Sequence, residues 1–226
     1  MPNSPAQDLA HRMAELARSV AAPRDIDDVL NGITASAVEL ITGADVAGVL
    51  LVSKAGKFES LYGTSDLIYE ADRLQKKHEA GPCVDAALKE LVVRVDDFET
   101  ETRWPQYAHE VCKLGFRSSI SFKLYTGDRT AGALNVFSRK PHSFDADAEV
   151  IGSILAAHAA AAILASRDSQ QLQAALLSRD LIGQAKGILM ERFTIDAIGA
   201  FEMLRKLSQQ MNVRLAEIAQ RVVDTR

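Results

Sequence analysis

The sequence predicts an α+β fold: an antiparallel sheet with flanking helices, joined by one long helix to a small three-helix bundle. Three observations predict it. Two β-rich runs, at 44–62 and 117–138, each double back through a short glycine-containing turn, as hairpins do. The order is two helices, two strands, helices, a strand, a helix, two strands and a long helix. No proline follows Pro141, and from Asp145 the apolar pattern continues into the C-terminal segment without a linker.

The elements follow in order. Asp8 to Val20 reads as an amphipathic helix that Pro23 ends, and a second packing helix runs from Ile26 to Leu40. Residues 44–52 form an apolar strand, Lys54-Ala55-Gly56-Lys57 the turn, and residues 58–62 the return. A polar helix spans Ser65 to Glu79, and Pro82 is placed to open another. Residues 92–98 read as a strand, and after Trp104-Pro105-Gln106-Tyr107-Ala108 a short helix runs to Lys113. Residues 117–125 alternate polar and apolar, Gly127-Asp128 is the turn, and residues 130–138 return. A continuous helix is then expected over about 145–192, dividing the chain into domains at 1–165 and 166–226. On a seven-residue repeat, Ile151, His158, Ala165, Leu172 and Arg179 share one seam position and Leu155, Ala162, Ser169 and Leu176 the other. A parallel homodimer through a coiled coil is the expectation, weakened by His158, Ser169 and Arg179.

With 226 residues the chain is long enough for a mixed core and a helical appendage. No run of 18 apolar residues and no signal-type start occur, so the sequence reads as cytoplasmic with no membrane partner. The net charge is -4, unevenly spread: residues 167–226 carry nine Lys/Arg against seven Asp/Glu, residues 1–166 seventeen against twenty-three. With so small a positive excess, binding to nucleic acid by counterion release alone would be weak. The two cysteines, Cys83 and Cys112, form no close pair, and the five histidines lack ligand spacing, so no metal or cofactor is expected.

Residues 178–226 place helix-costly glycines beside cations. Gly183 and Gly187 each cost roughly 1 kcal/mol against alanine in a helix, so their retention asks for bare backbone. At about 100° per residue, Arg179, Gly183, Lys186, Gly187 and Met190 share one face, and Leu181, Ile182, Ala185, Ile188, Leu189 and Phe193 spread over the other. Phe193, Phe201, Leu204, Leu207, Leu215, Ile218 and Val222 are expected to be the core of the small bundle.

The runs RDLIGQAKGILMERF (179–193), AFEMLR (200–205) and LAEIAQRVV (215–223) resemble an ANTAR domain, the RNA-binding module of bacterial transcription antitermination regulators. The resemblance implies binding to stem-loops in nascent messenger RNA and no chemistry on the RNA. The pieces GPC (81–83), RWPQYAHEVCKLGFRS (103–118), GALNVFS (132–138) and Pro141-x-x-Phe144-Asp145 resemble a GAF domain, covering roughly residues 8–165. That resemblance implies a sensor domain with a small-molecule ligand that the sequence does not name.

Within this frame, Arg179, Gly183, Gln184, Lys186, Gly187 and Arg205 are the candidate RNA-binding residues. Lys186 sits beside bare backbone where a phosphate or base edge approaches closely. Arg179 is placed to pair with phosphate or stack on an unpaired base, or equally to form a local salt bridge. Gly183 and Gly187 read equally as a close helix-packing motif, and Gln184 more commonly as an ordinary surface glutamine; Arg205 and Lys206 form a second basic cluster, and Arg192, Arg214 and Arg221 are phosphate contacts by charge alone or, more commonly, solvated cations. Cys83, near a helix start, is either a low-pKa thiol or a buried structural one, and the latter is the commoner case. Trp104, Tyr107 and Phe116 line a ligand pocket or fill a core. The sequence is read as a non-enzymatic RNA-binding regulator. The alternative is a small-molecule-binding sensor whose helical tail serves dimerisation or partner docking, with no RNA binding; a DNA-binding helix-turn-helix protein and a thiol enzyme rank below it.

Overall fold

A computed structural model describes residues 25–53, 58–125 and 130–225, and the helix expected at 8–20 and both hairpin turns lie outside the described residues. The chain divides into two compact units at Ser166 and Arg167.

The first unit carries helix α1 (Ile26–Leu40), strands β1 (Val46–Ser53) and β2 (Phe58–Leu61), helices α2 (Asp66–His78) and α3 (Pro82–Leu88), strand β3 (Val92–Val95), helix α4 (Pro105–Lys113), and strands β4 (Ser118–Tyr125) and β5 (Thr130–Ser138). Asp25 and Ser65 accept hydrogen bonds from backbone N–H groups of the first turns of α1 and α2, the usual N-cap arrangement. The strands form one antiparallel sheet in the order β2-β1-β5-β4-β3. Its central register pairs Val49 with Leu134 and Ile120 with Val136. β3 is shorter than the run 92–98; Phe98 lies beyond it, buried, with its N–H donating to the Arg117 carbonyl at 2.7 Å.

Strand alternation sends two different side-chain sets to the two faces. Ala47, Val49, Ile120, Phe122, Leu134 and Val136 pack with α1 and the first part of α5 (Ala146–Phe193). Val46, Leu50, Val93, Ala133 and Phe137 pack under α2, α3 and α4. Gly152 is the device that brings α5 onto the sheet: a Cβ there would enter the ring of Phe122.

Helix α5 is 48 residues long and uninterrupted. Its segment Ala146–Ser166 is long and apolar enough to cross a membrane, but Leu155, Ala159, Ala162 and Ile163 are buried in the sheet-packing core. This corrects the expected seam: Leu155 and Ala162 are buried and Ile151 half-buried in that core, so they cannot also face a partner helix. Farther along, Leu172, Leu176 and Leu177 are 64%, 53% and 71% exposed.

The second unit adds α6 (Ala197–Met211) and α7 (Leu215–Asp224). Asp196 caps α6, accepting from the Gly199 N–H at 2.7 Å, and Asn212 ends it in the left-handed region at φ 51°. The core is Ala185, Leu189, Ala200, Leu204, Ile218 and Ala219. Phe193 and Phe201, expected inside, are 53% and 38% exposed. Ala185, Ala200 and Ala219 take the small core positions, and both rings lie outside that core.

Candidate nucleic-acid interface

The candidate residues lie on α5 and α6, which the short turn Thr194–Asp196 joins as antiparallel neighbours sharing one core. Helical geometry places them. Measured from the buried Leu189 at about 100° per residue, Lys186, Arg179, Met190, Gly183 and Gly187 lie roughly 60°, 80°, 100°, 120° and 160° round α5 in one sense. Measured from the buried Leu204, Phe201, Arg205 and Ile198 lie about 60°, 100° and 120° round α6 in the same sense. In an antiparallel pair of right-handed helices, equal senses come to the same side. Leu181, Met203 and Leu207 fall on the other side, half-buried against the core that Ile218 and Ala219 of α7 complete. The cations and glycines therefore share the face that α7 leaves open.

On that face a Cβ built at Gly183 or Gly187 meets nothing within 4 Å. Neither glycine is required by packing within the described residues, although both sit deep in a helix where they lower stability. Arg179 is exposed, Lys186 half-buried, and among the described residues neither is ion-paired. Arg205 donates from Nε and Nη2 to Glu202 Oε2, at 3.2 and 2.6 Å. Gln184 is exposed but about 160° from Lys186 round the helix, so the fold does not bring it to the other five. Phe201 and Ile198 join the face instead.

Comparison with known proteins gives two family matches: a GAF domain over residues 23–164 and an ANTAR domain over residues 170–223. The chain is a GAF-family protein with an ANTAR domain. No curated protein matches it in sequence. Similar solved structures include the GAF domain of a phosphoenolpyruvate-protein phosphotransferase from Coxiella burnetii (15% identity, 74% of this chain and 99% of that one, TM-score 0.57). Another is the free methionine-R-sulfoxide reductase from Neisseria meningitidis (20% identity, 75% and 96%, TM-score 0.54). A third is the photoproduct-state GAF3 domain from Synechocystis (14% identity, 66% and 99%, TM-score 0.55). At these identities the likeness concerns the fold. GAF and ANTAR domains are regulatory, and their combination makes this a sensor-coupled regulator of the ANTAR class.

The GAF domain holds a second polar constellation. Under α2 and α3 the sheet presents Ser119, Ser121 and Asn135, all fully buried. Asp72 of α2 meets them there, accepting from Ser60, from Gln75 Nε2 at 3.3 Å and from Asn135 Nδ2 at 3.5 Å. No cation faces it among the described residues, and burial raises its pKa to about 7 against the hydrogen bonds from Ser60 and Gln75. Gln75 also clamps the start of α3, accepting from the Cys83 N–H at 2.8 Å and donating to Cys83 Sγ at 2.7 Å. Burial, then the neighbouring Asp72, pushes the Cys83 thiol well up, opposite to what an oxidant-sensing thiolate needs. Both cysteines are free thiols. Trp104, Tyr107 and Phe116 are core residues. A surface cleft of the GAF domain, of about 480 Å³, is lined by Phe98, Glu99, Glu101, Pro105, Ala108, His109, Cys112 and Lys113. Burial raises the Cys112 thiol as well.

Proposed function

We propose that this chain is a cytoplasmic transcription antitermination regulator whose ANTAR domain binds stem-loops in nascent messenger RNA and thereby disfavours a terminator hairpin. The observation that carries the reading is the open α5–α6 face. Two glycines that no neighbour requires sit among Arg179, Lys186 and Arg205. Bare backbone beside cations admits a phosphate to contact distance, whereas a side chain would hold it off.

A second copy is proposed to pair along the exposed leucines 172, 176 and 177, which supplies a second RNA face. Linking two weak sites raises avidity by roughly 10²- to 10⁴-fold where the geometry admits both. A signal received by the GAF domain then acts by shifting the helix pair that carries both faces. The GAF ligand is proposed to be a small molecule.

The test is Gly183→Ala and Gly187→Ala in the full chain. Each is expected to raise stability by up to about 1 kcal/mol, because alanine is the better helix former and the space is open. Each is also expected to weaken binding to a pool of RNA stem-loops. A protein stabilised by alanine that binds RNA as before removes the glycines from the RNA contact, and a wild type that binds no stem-loop gives way to the docking-tail reading.

A further inference from the structure

Phe201 is the residue whose position the RNA reading leaves without a role. A phenylalanine in the second turn of an amphipathic helix is ordinarily core. Here the ring stands at the surface, with Ile198 one turn before it and Arg205 one turn after, on the open face with Met190. The exposed apolar side chains here, Met190, Phe193, Ile198 and Phe201, are bordered by guanidinium and ammonium groups.

We propose that Phe201 is a stacking platform for an unpaired base of an RNA loop, with the Arg205 guanidinium taking the adjoining phosphate. The inference rests on the RNA-binding reading and names what that face recognises: a splayed, single-stranded base rather than a duplex. Every base presents a π-face, so an exposed ring binds it without demanding a particular sequence. A base buried in a duplex stack offers no free face, which confines the contact to a loop, bulge or end. Glu202 takes Nε and Nη2 of Arg205 and so orients the group, and among the described residues no bond is made by Nη1. Charge decides between occupants. A protein surface covering this patch would desolvate Arg179 and Lys186, which have no ion-pair partner among the described residues, while a polyanion pairs with them.

The experiment compares the full chain with Phe201→Ala, Phe201→Tyr and Arg205→Ala. The probes are a pool of RNA hairpins with one fixed stem and randomised loops, and the same stem as a blunt duplex. Phe201→Ala is expected to bind the hairpin pool roughly 5- to 100-fold more weakly and the duplex as wild type does, with Phe201→Tyr restoring loop binding. Its dependence on salt is expected to be unchanged, whereas Arg205→Ala lowers the slope of log K against log salt by about one. With 2-aminopurine in the loops, wild type and Phe201→Tyr are expected to change its fluorescence and Phe201→Ala is not.

Unchanged hairpin binding by Phe201→Ala, equal loss on hairpin and duplex, or no rescue by tyrosine overturns the proposal while leaving RNA binding in place. Wild type that binds neither probe overturns the RNA reading and this one with it. A change from dimer to monomer in Phe201→Ala, read by sedimentation, assigns the face to a second copy of the chain and also overturns it.

Discussion

Replacing Asp72 by asparagine tests the buried polar centre of the GAF domain. Asp72 is 2% exposed and hydrogen-bonded to Ser60, Gln75 and Asn135, and Cys83 packs beside it. Its pKa rises from the ordinary 3.8 to about 7 because burial disfavours the charged form. A carboxyl raised on folding stabilises the native state fully below the unfolded pKa, and that stability is lost as pH climbs through the folded pKa. Each pKa unit is worth about 1.4 kcal/mol, so wild-type stability should fall by about that much per pH unit between pH 4 and 7 and level off above. The whole change is then about 4 kcal/mol. Asparagine keeps the shape and the bonds: its oxygen accepts from Gln75 and Asn135, and its amide donates to a Ser60 hydroxyl that has turned. Asp72→Asn should therefore be more stable than wild type by about 4 kcal/mol at pH 8, and by under about 2 kcal/mol at pH 5. Urea unfolding of the full chain, followed by fluorescence of the sole tryptophan, the buried Trp104, reads the GAF domain directly. If the two proteins lose stability in parallel from pH 5 to 8, Asp72 is already ionised at pH 5 and the desolvation argument is wrong.

Gly152→Ala should destabilise the GAF domain by about 1–3 kcal/mol in the same assay, because its methyl group enters the space of the Phe122 ring in a filled core. It thus moves opposite to Gly183→Ala, although both are glycines of one helix. Cys83 should resist iodoacetamide in the native protein and react once urea is added, as a buried thiol held in its neutral form does; native labelling as fast as that of a free thiol would contradict its burial.

The elements were legible because their signals are local. Pro82 opens the helix that the sequence assigns to it, and α1 runs over Ile26–Leu40 as expected, whereas α4 starts at Pro105, earlier than the end of the run 104–108 from which the sequence places it. The long helix is written in the absence of proline and in unbroken periodicity. Motif runs at 179–193 and 200–205 pointed to the candidate residues before any packing was known. The errors share a cause. Ile151, Leu155 and Ala162 fit a heptad seam and an amphipathic core face equally well, since both patterns select small and branched apolar residues at nearly the same spacing. Phe193 and Phe201 fit a core by periodicity, but periodicity carries no information about how closely the helices approach.

By itself, then, the sequence determined the order of helices and strands among the described residues, which family motifs the chain carries, and which cations sit near glycines, because each depends on residues within a few positions of one another. Tertiary structure alone decided what is covered. Ser119, Ser121 and Asn135 alternate with Ile120, Phe122, Leu134 and Val136, a pattern that one face in water and one in the core would produce equally. Helices α2 and α3 bury that polar face, and Asp72 reaches Asn135 across 63 residues of chain. The same holds for the open side of the ANTAR bundle: α7 covers one side of the α5–α6 pair and leaves Phe201 and Arg205 on the other. Burial depends on which distant element lies on top, and no local pattern of polar and apolar residues encodes that choice.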